Sequence, residues 1–151
     1  MSRKFLIPAL VFVVCMAFAG QAEARRHTFI RFSIDYPDTG WTELWDDTND
    51  YQDVVIIRKN DYSALIIFEV KSRMGRDLEM VTKTISRERG GTAVRKNNSG
   101  GYYFEFNHRV GNENKLHRVD SWVRGTDFVF FTVHGHDPEL KRIADSFRLL
   151  D

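Results

Sequence analysis

The order of patterned segments along the chain predicts an α+β fold: a largely antiparallel sheet with helices packed on it (an α/β/α sandwich), in a single domain. Three observations predict it. Strand-like runs lie on both sides of one amphipathic helical segment, three late strands are joined by hairpin-length loops, and a second amphipathic helix closes the chain. No repeat, low-complexity tract or long linker divides the sequence.

The first element is not part of that fold. Arg3 and Lys4, an apolar run over 5–20 and the small residues of Ala22-Glu23-Ala24 have the form of a secretory signal peptide over residues 1–24, with cleavage expected between Ala24 and Arg25. The run is shorter than the ~20 apolar residues a spanning helix needs and is interrupted by Pro8, so no stable membrane anchor is expected after cleavage. Cys15 is the only cysteine, and it leaves with the signal. The exported domain, residues 25–151, therefore has no thiol for a disulfide, a metal or a nucleophile, and its fold must rest on its own core. Losing Arg3 and Lys4 from 22 basic residues and Glu23 from 21 acidic ones leaves 20 of each. A formally neutral, charge-mixed surface argues against nucleic acid or an anionic membrane as partner, since both select basic patches. The expected location is periplasmic or secreted.

Within 25–151 the elements follow in order. Ile30, Phe32, Ile34 and Tyr36 alternate with polar residues, the period of a half-buried strand, and Pro37 stops it. The acidic, turn-rich stretch over 38–52 is expected to run over the surface with Trp41 and Trp45 tucked against the domain. Strands over 54–58 and 64–71 flank the turn Lys59-Asn60-Asp61. Residues 64–68 are apolar at nearly every position, so both faces of that strand should be covered. Asp77 is an N-cap for a helix with Leu78, Val81 and Ile85 on one face, ended by Gly90-Gly91. Strands over 102–110, 116–124 and 128–135 form a meander. Asp137 then caps a helix that opens on Pro138 and carries Leu140, Ile143, Ala144 and Phe147 at helical spacing, running to about residue 149.

Phe32-Ser-Ile-Asp-Tyr-Pro37 followed by Gly40-Trp41, the strand Gly101-Tyr-Tyr-Phe-Glu-Phe106, and the closing helix from Glu139-Leu140 to Ser146-Phe147 resemble the PsbP/DcrB-like α/β/α sandwich superfamily. The resemblance spans almost all of 25–151. It implies the fold above and an accessory role, because members are mostly small non-catalytic binding or assembly proteins, including an extrinsic photosystem subunit and bacterial periplasmic proteins. No site residues carry over, since the matching positions are packing positions.

The residues themselves offer few chemistries. The sequence has no Gly-x-Ser-x-Gly elbow, no His-Glu-x-x-His, no phosphate loop and no calcium loop. Asp46, Asp47, Asn49, Asp50 and Asp53 supply hard oxygens but lack the spacing and distal Glu of a calcium site, so a solvated loop capping local N–H groups is favoured. The histidines are the candidate metal ligands. Closed about Asn112 and Glu113, the first hairpin sets His108 opposite His117; closed about Gly125 and Thr126, the second sets His117 opposite His134. Three imidazoles would then share one face and suit Zn or Cu as the one cofactor the sequence suggests. The competing reading makes the row the polar margin of a core face. Phe104, Phe106, Phe128, Phe130 and Phe131 are expected in the core, with an apolar ligand cavity as the alternative. No enzyme activity is expected. The expectation is an exported binding or assembly accessory protein of the bacterial cell envelope, whose partner is another envelope protein.

Overall fold

In the computed structural model, which describes residues 23–110 and 112–150, two sheets and two helices are present. The expected signal segment lies outside these residues apart from Glu23 and Ala24. A seven-stranded antiparallel sheet runs β3 (Trp41–Thr48), β4 (Gln52–Lys59), β5 (Leu65–Ser72), β9 (Asp127–His134), β8 (Glu113–Arg124), β7 (Tyr102–Val110) and β6 (Arg95–Lys96). A second sheet is formed by β1 (Ala24–Thr28), β2 (Phe32–Pro37) and β10 (Arg148–Leu149), with β2 in the middle. Helix α1 (Leu78–Glu88) packs on one face of the large sheet, against β7 and β8. Helix α2 (Pro138–Asp145) and the small sheet pack on the other face.

The sides of the sheet follow from the two-residue alternation of strands. Phe128 and Phe130 of β9 join Phe104, Val119, Leu78 and Ile85 in a core under α1. Val129, between them, joins Ile66, Phe68, Val70, Phe32, Ile34 and Ile143 in a core under α2 and the small sheet. Expected coverage of both faces at residues 64–68 is met unevenly. Ile66 and Phe68 are fully buried, whereas Leu65 and Ile67 on the α1 side are half-buried because α1 sits over the other end of the sheet.

Both helix starts are as the sequence implies. Asp77 accepts from Met80 N at 2.9 Å, and Asp137 accepts from Glu139 N at 2.8 Å, each satisfying an otherwise orphaned N–H. The Asp137 carboxyl also pairs with Lys59 Nζ, which holds it below the ordinary carboxylate range, and Trp41 Nε1 donates to Glu139 Oε2 at 2.6 Å. The first turn of α2 is thereby tied to β3 and β4.

Four expectations are corrected. The strand expected from Ile30 is β2 and begins at Phe32, because Phe29 N bonds Phe32 O at 2.8 Å to make the β1–β2 turn, and Ile30 at its tip is 70% exposed. Residues 41–48 are a strand, β3, and not an excursion; a bulge between Glu43 and Trp45 breaks its alternation. In the acidic stretch Asn49 caps local N–H groups as expected, whereas Asp47 and Asp53 lie in strands and not in a solvated loop. Asp53 is fully buried and accepts from Arg31 N at 3.0 Å and from Thr48 Oγ1, Asp47 accepts from Gln52 Nε2 at 2.8 Å, and Asn49 Oδ1 accepts from Tyr51 N at 2.9 Å. Finally, α2 ends at Asp145. Ser146 Oγ accepts from Asp35 N at 2.8 Å and donates to Ile143 O at 2.7 Å, which turns the chain out of the helix and into β10.

Phe147 therefore packs from beyond the helix. Its ring stacks on Phe68 (5.8 Å, 3°) and meets Phe32 at 5.2 Å and Phe131 at 5.1 Å. Phe147→Ala removes the ring that joins the small sheet to the large one, and the expected cost is about 3 kcal/mol, the low end for a truncated Phe because the ring is partly buried. Urea denaturation measures it; an unchanged midpoint would show that this ring does not hold the layers together.

Candidate functional site

Two regions carry the side chains of interest, one on each face of the large sheet. The first is the histidine row on the α1 side. The β8–β9 pairing runs from Arg124↔Asp127 to Arg118↔Val133, the register expected from the Gly125-Thr126 turn. The β7–β8 pairing is shifted by two residues from the expected one: Phe106 faces His117, and His108 faces Lys115. A two-residue shift preserves the face. The three rings consequently still form a row, with His117 stacked on His134 (4.9 Å, 24°) and on Phe106 (5.2 Å, 29°) and meeting His108 edge-on at 5.8 Å.

A row is not a cluster. His108 and His134 stand on strands that flank β8, whose backbones are about 9.5 Å apart by the spacing of adjacent strands. Stacked planes also direct ring nitrogens alongside each other instead of toward one point. Among the described residues, no group of three or more His, Cys, Asp or Glu is placed to hold a metal ion. His117 is the centre of the row and is 5% exposed, with neither Nδ1 nor Nε2 hydrogen-bonded among the described residues. Burial, followed by the fields of His134, His108, Lys115 and Arg89, pushes its pKa down to about 4. On the same face, level with Phe130 and Ser121, Glu69 is 4% exposed and receives Arg89 Nη2 at 2.8 Å and Lys71 Nζ at 2.9 Å. Burial alone would raise that carboxyl; the two cations outweigh it and hold it below the ordinary range. Arg89, the residue that caps α1, thus fastens the helix end to β5.

The second region was not anticipated. On the α2 side, α2 and the small sheet cover β3 to β5 and part of β9, and they leave the outward residues of β7 and β8 open. Leu116 there is 56% exposed. Arg118 donates a fork to Asp120 (Nε to Oδ2 2.7 Å, Nη2 to Oδ1 3.0 Å) and lies 4.1 Å from the Tyr103 ring centroid. Two cavities open on this half-sheet. One of about 480 Å³ is bordered by Glu105, Leu116, Arg118, Val133 and His136. One of about 380 Å³ lies between Trp122 and Phe131 of the sheet and Phe147 and Arg148 after α2. Gly101 lets β7 approach this corner: a Cβ there would lie 1.9 Å from Ser121 O and 2.9 Å from Trp122 Cδ1. The sequence signal was present in the polar-aromatic alternation of 116–124, but which alternate set is left uncovered depends on where α2 docks.

The class this architecture defines is an α+β sandwich, a seven-stranded antiparallel sheet with a helix on each face. Among solved structures the chain is similar to cyanobacterial PsbP (CyanoP) from Synechocystis sp. PCC 6803, with a TM-score of 0.49 and 14% identity over 88% of this chain and 96% of that one. It is also similar to a protein from Bacteroides thetaiotaomicron VPI-5482, with a TM-score of 0.54 and 11% identity over 87% of this chain; the match spans 49% of that longer chain. No protein-family model and no curated protein matches. Likeness at these identities is one of fold alone.

His117 provides a pH test. Its folded pKa of about 4 lies below the ordinary 6.5, so the unfolded chain binds the proton more readily. The stability gained from keeping the ring neutral is full above pH 6.5 and is lost as pH falls toward 4, on the order of 2 to 3 kcal/mol. His117→Phe preserves the stack on Phe106 and abolishes the titration. The variant should lose correspondingly less stability than the parent between these pH values in urea titrations, and parallel curves would place the acid sensitivity elsewhere.

Proposed function

We propose that the protein is an exported, non-catalytic accessory protein of the bacterial cell envelope, which binds another envelope protein through the open half of its sheet. The observation that carries this reading is the outward face of β7 and β8. An exposed Leu116 stands beside a guanidinium already fixed by Asp120 and Tyr103, so apolar area and an oriented charge are offered together. Interfaces draw their affinity from such a pre-ordered aromatic and arginine centre. Export is supported by the basic start, the apolar run and the Ala22-Glu23-Ala24 site. An accessory role agrees with the superfamily that the strand and helix motifs resemble.

Metal binding by His108, His117 and His134 is a weaker reading for the reasons of geometry given above. Two experiments test the main one. N-terminal sequencing of protein recovered from the envelope should begin at Arg25; an intact Met1 in the cytoplasm would sink the assignment of location. Affinity capture from envelope extract should recover a stoichiometric protein partner with the parent chain and lose it with Leu116→Glu/Arg118→Glu, two exposed changes expected to leave the thermal midpoint within about 1 kcal/mol of stability. Equal recovery with both would exclude this face as the docking surface.

A further inference from the structure

We infer that the cavity of about 380 Å³ between β8–β9 and the end of α2 binds an amphipathic anion, a carboxylate carried on an acyl chain. This goes beyond the protein-docking role and does not depend on it.

The cavity lies within the size range of small-ligand sites, and its composition is divided in two. Its floor is aromatic and pre-set. Trp122 meets Phe131 edge-on (5.2 Å, 65°), and Phe131 meets Phe147 edge-on (5.1 Å, 72°), so the rings hold one another before any ligand arrives. Val129 and Leu149 extend the floor with aliphatic surface.

The rim is cationic. Arg148 Nη1 donates to the carbonyls of Asp145 and Phe147 at 2.8 and 2.7 Å, which fixes the guanidinium at the edge of the cavity and leaves Nε and Nη2 without partners among the described residues. Arg124 borders the same cavity from β8 and makes no side-chain hydrogen bond or ion pair among the described residues. The one carboxylate on the rim, Asp145, is already engaged by Lys141 Nζ. Two guanidiniums with unspent donors therefore stand over apolar rings. A neutral hydrocarbon would leave those donors unused, a cation would be repelled, and a small anion would leave the floor wet. A carboxylate on an acyl chain meets both halves, with the fork of an arginine matching the two carboxylate oxygens.

Four probes separate the possibilities by calorimetry on protein purified from cells expressing the full chain: decanoate, 1-decanol, decyltrimethylammonium and acetate. Decanoate should bind one per chain and at least about tenfold more tightly than each of the others, the equivalent of about 1.4 kcal/mol. Arg124→Gln/Arg148→Gln should reduce decanoate to the affinity of 1-decanol, with a loss of stability no larger than the two carbonyl bonds of Arg148 account for, and Arg124→Gln alone should weaken decanoate with an unchanged thermal midpoint. In ¹H–¹⁵N spectra, decanoate should shift the indole signal that Trp122→Phe removes, while those of Trp41 and Trp45 stay in place. No stoichiometric uptake of decanoate, equal affinity for decyltrimethylammonium, or a double variant that binds like the parent would each overturn the inference. None of these outcomes bears on capture of a protein through Leu116 and Arg118.

Discussion

The pairing of β5 with β9 is the constraint on which the other contacts depend. Eight residue pairs, from Leu65↔His134 to Ser72↔Asp127, join a β3–β5 meander to a β6–β9 meander that begins after α1. Without that ladder there are two small sheets, each with one greasy side. With it, β9 serves two cores at once: Phe128 and Phe130 enter the one under α1, and Val129 enters the one under α2. Two further features guard this junction. Gly135, which ends β9 at φ +93°, passes so close to the neighbouring turn that a Cβ would lie 2.3 Å from Ser63 O. Glu69, in the middle of β5, is a carboxylate brought out of water and kept ionised by Lys71 and Arg89, an arrangement whose cost is offset only while both cations stay in place.

The central ladder also decides where function can lie. Each helix is short, 11 and 8 residues, and neither spans a seven-stranded sheet. They sit over opposite ends of opposite faces. One half of each face is left without a helix, and the half beside α2 holds a cavity because the chain must climb from the end of that helix back to β2, leaving a step between Arg148 and the floor of the sheet.

Much of this arrangement was legible in the sequence, and the failures have physical causes. The second hairpin was placed in its true register because Gly125, at φ +56°, marks a tight turn. The first was displaced by two residues because the ladder runs on to Val110 and Glu113, so its turn is tighter than the Gly111-to-Asn114 string implied. The error was harmless to the side on which His108, His117 and His134 fall, since two is the strand period, but not to their spacing. β3 was missed since the bulge at Leu44 interrupts its alternation, and β1 because Arg25, Arg26 and His27 form an outer strand with no apolar stripe. Phe147 stands seven residues after Leu140, which is helical spacing, yet Ser146 turns the chain first. The open half-sheet, and with it Trp122, Arg124 and Arg148, depends on how layers dock, and no local pattern encodes docking.

The margins of the large sheet have a further consequence. One is β3, bent by its bulge and bearing Glu43 and Asp47; the other is β6, only Arg95 and Lys96 long. Unpaired strand margins are where chains zip onto one another, and a kinked acidic border and a two-residue basic one each give an incoming strand little ladder to extend. Strand addition directly onto β3 or β6 is therefore disfavoured. At these two borders a neighbouring chain would meet side chains more than free backbone, so contact there is a matter of surface chemistry and is open to change by single substitutions.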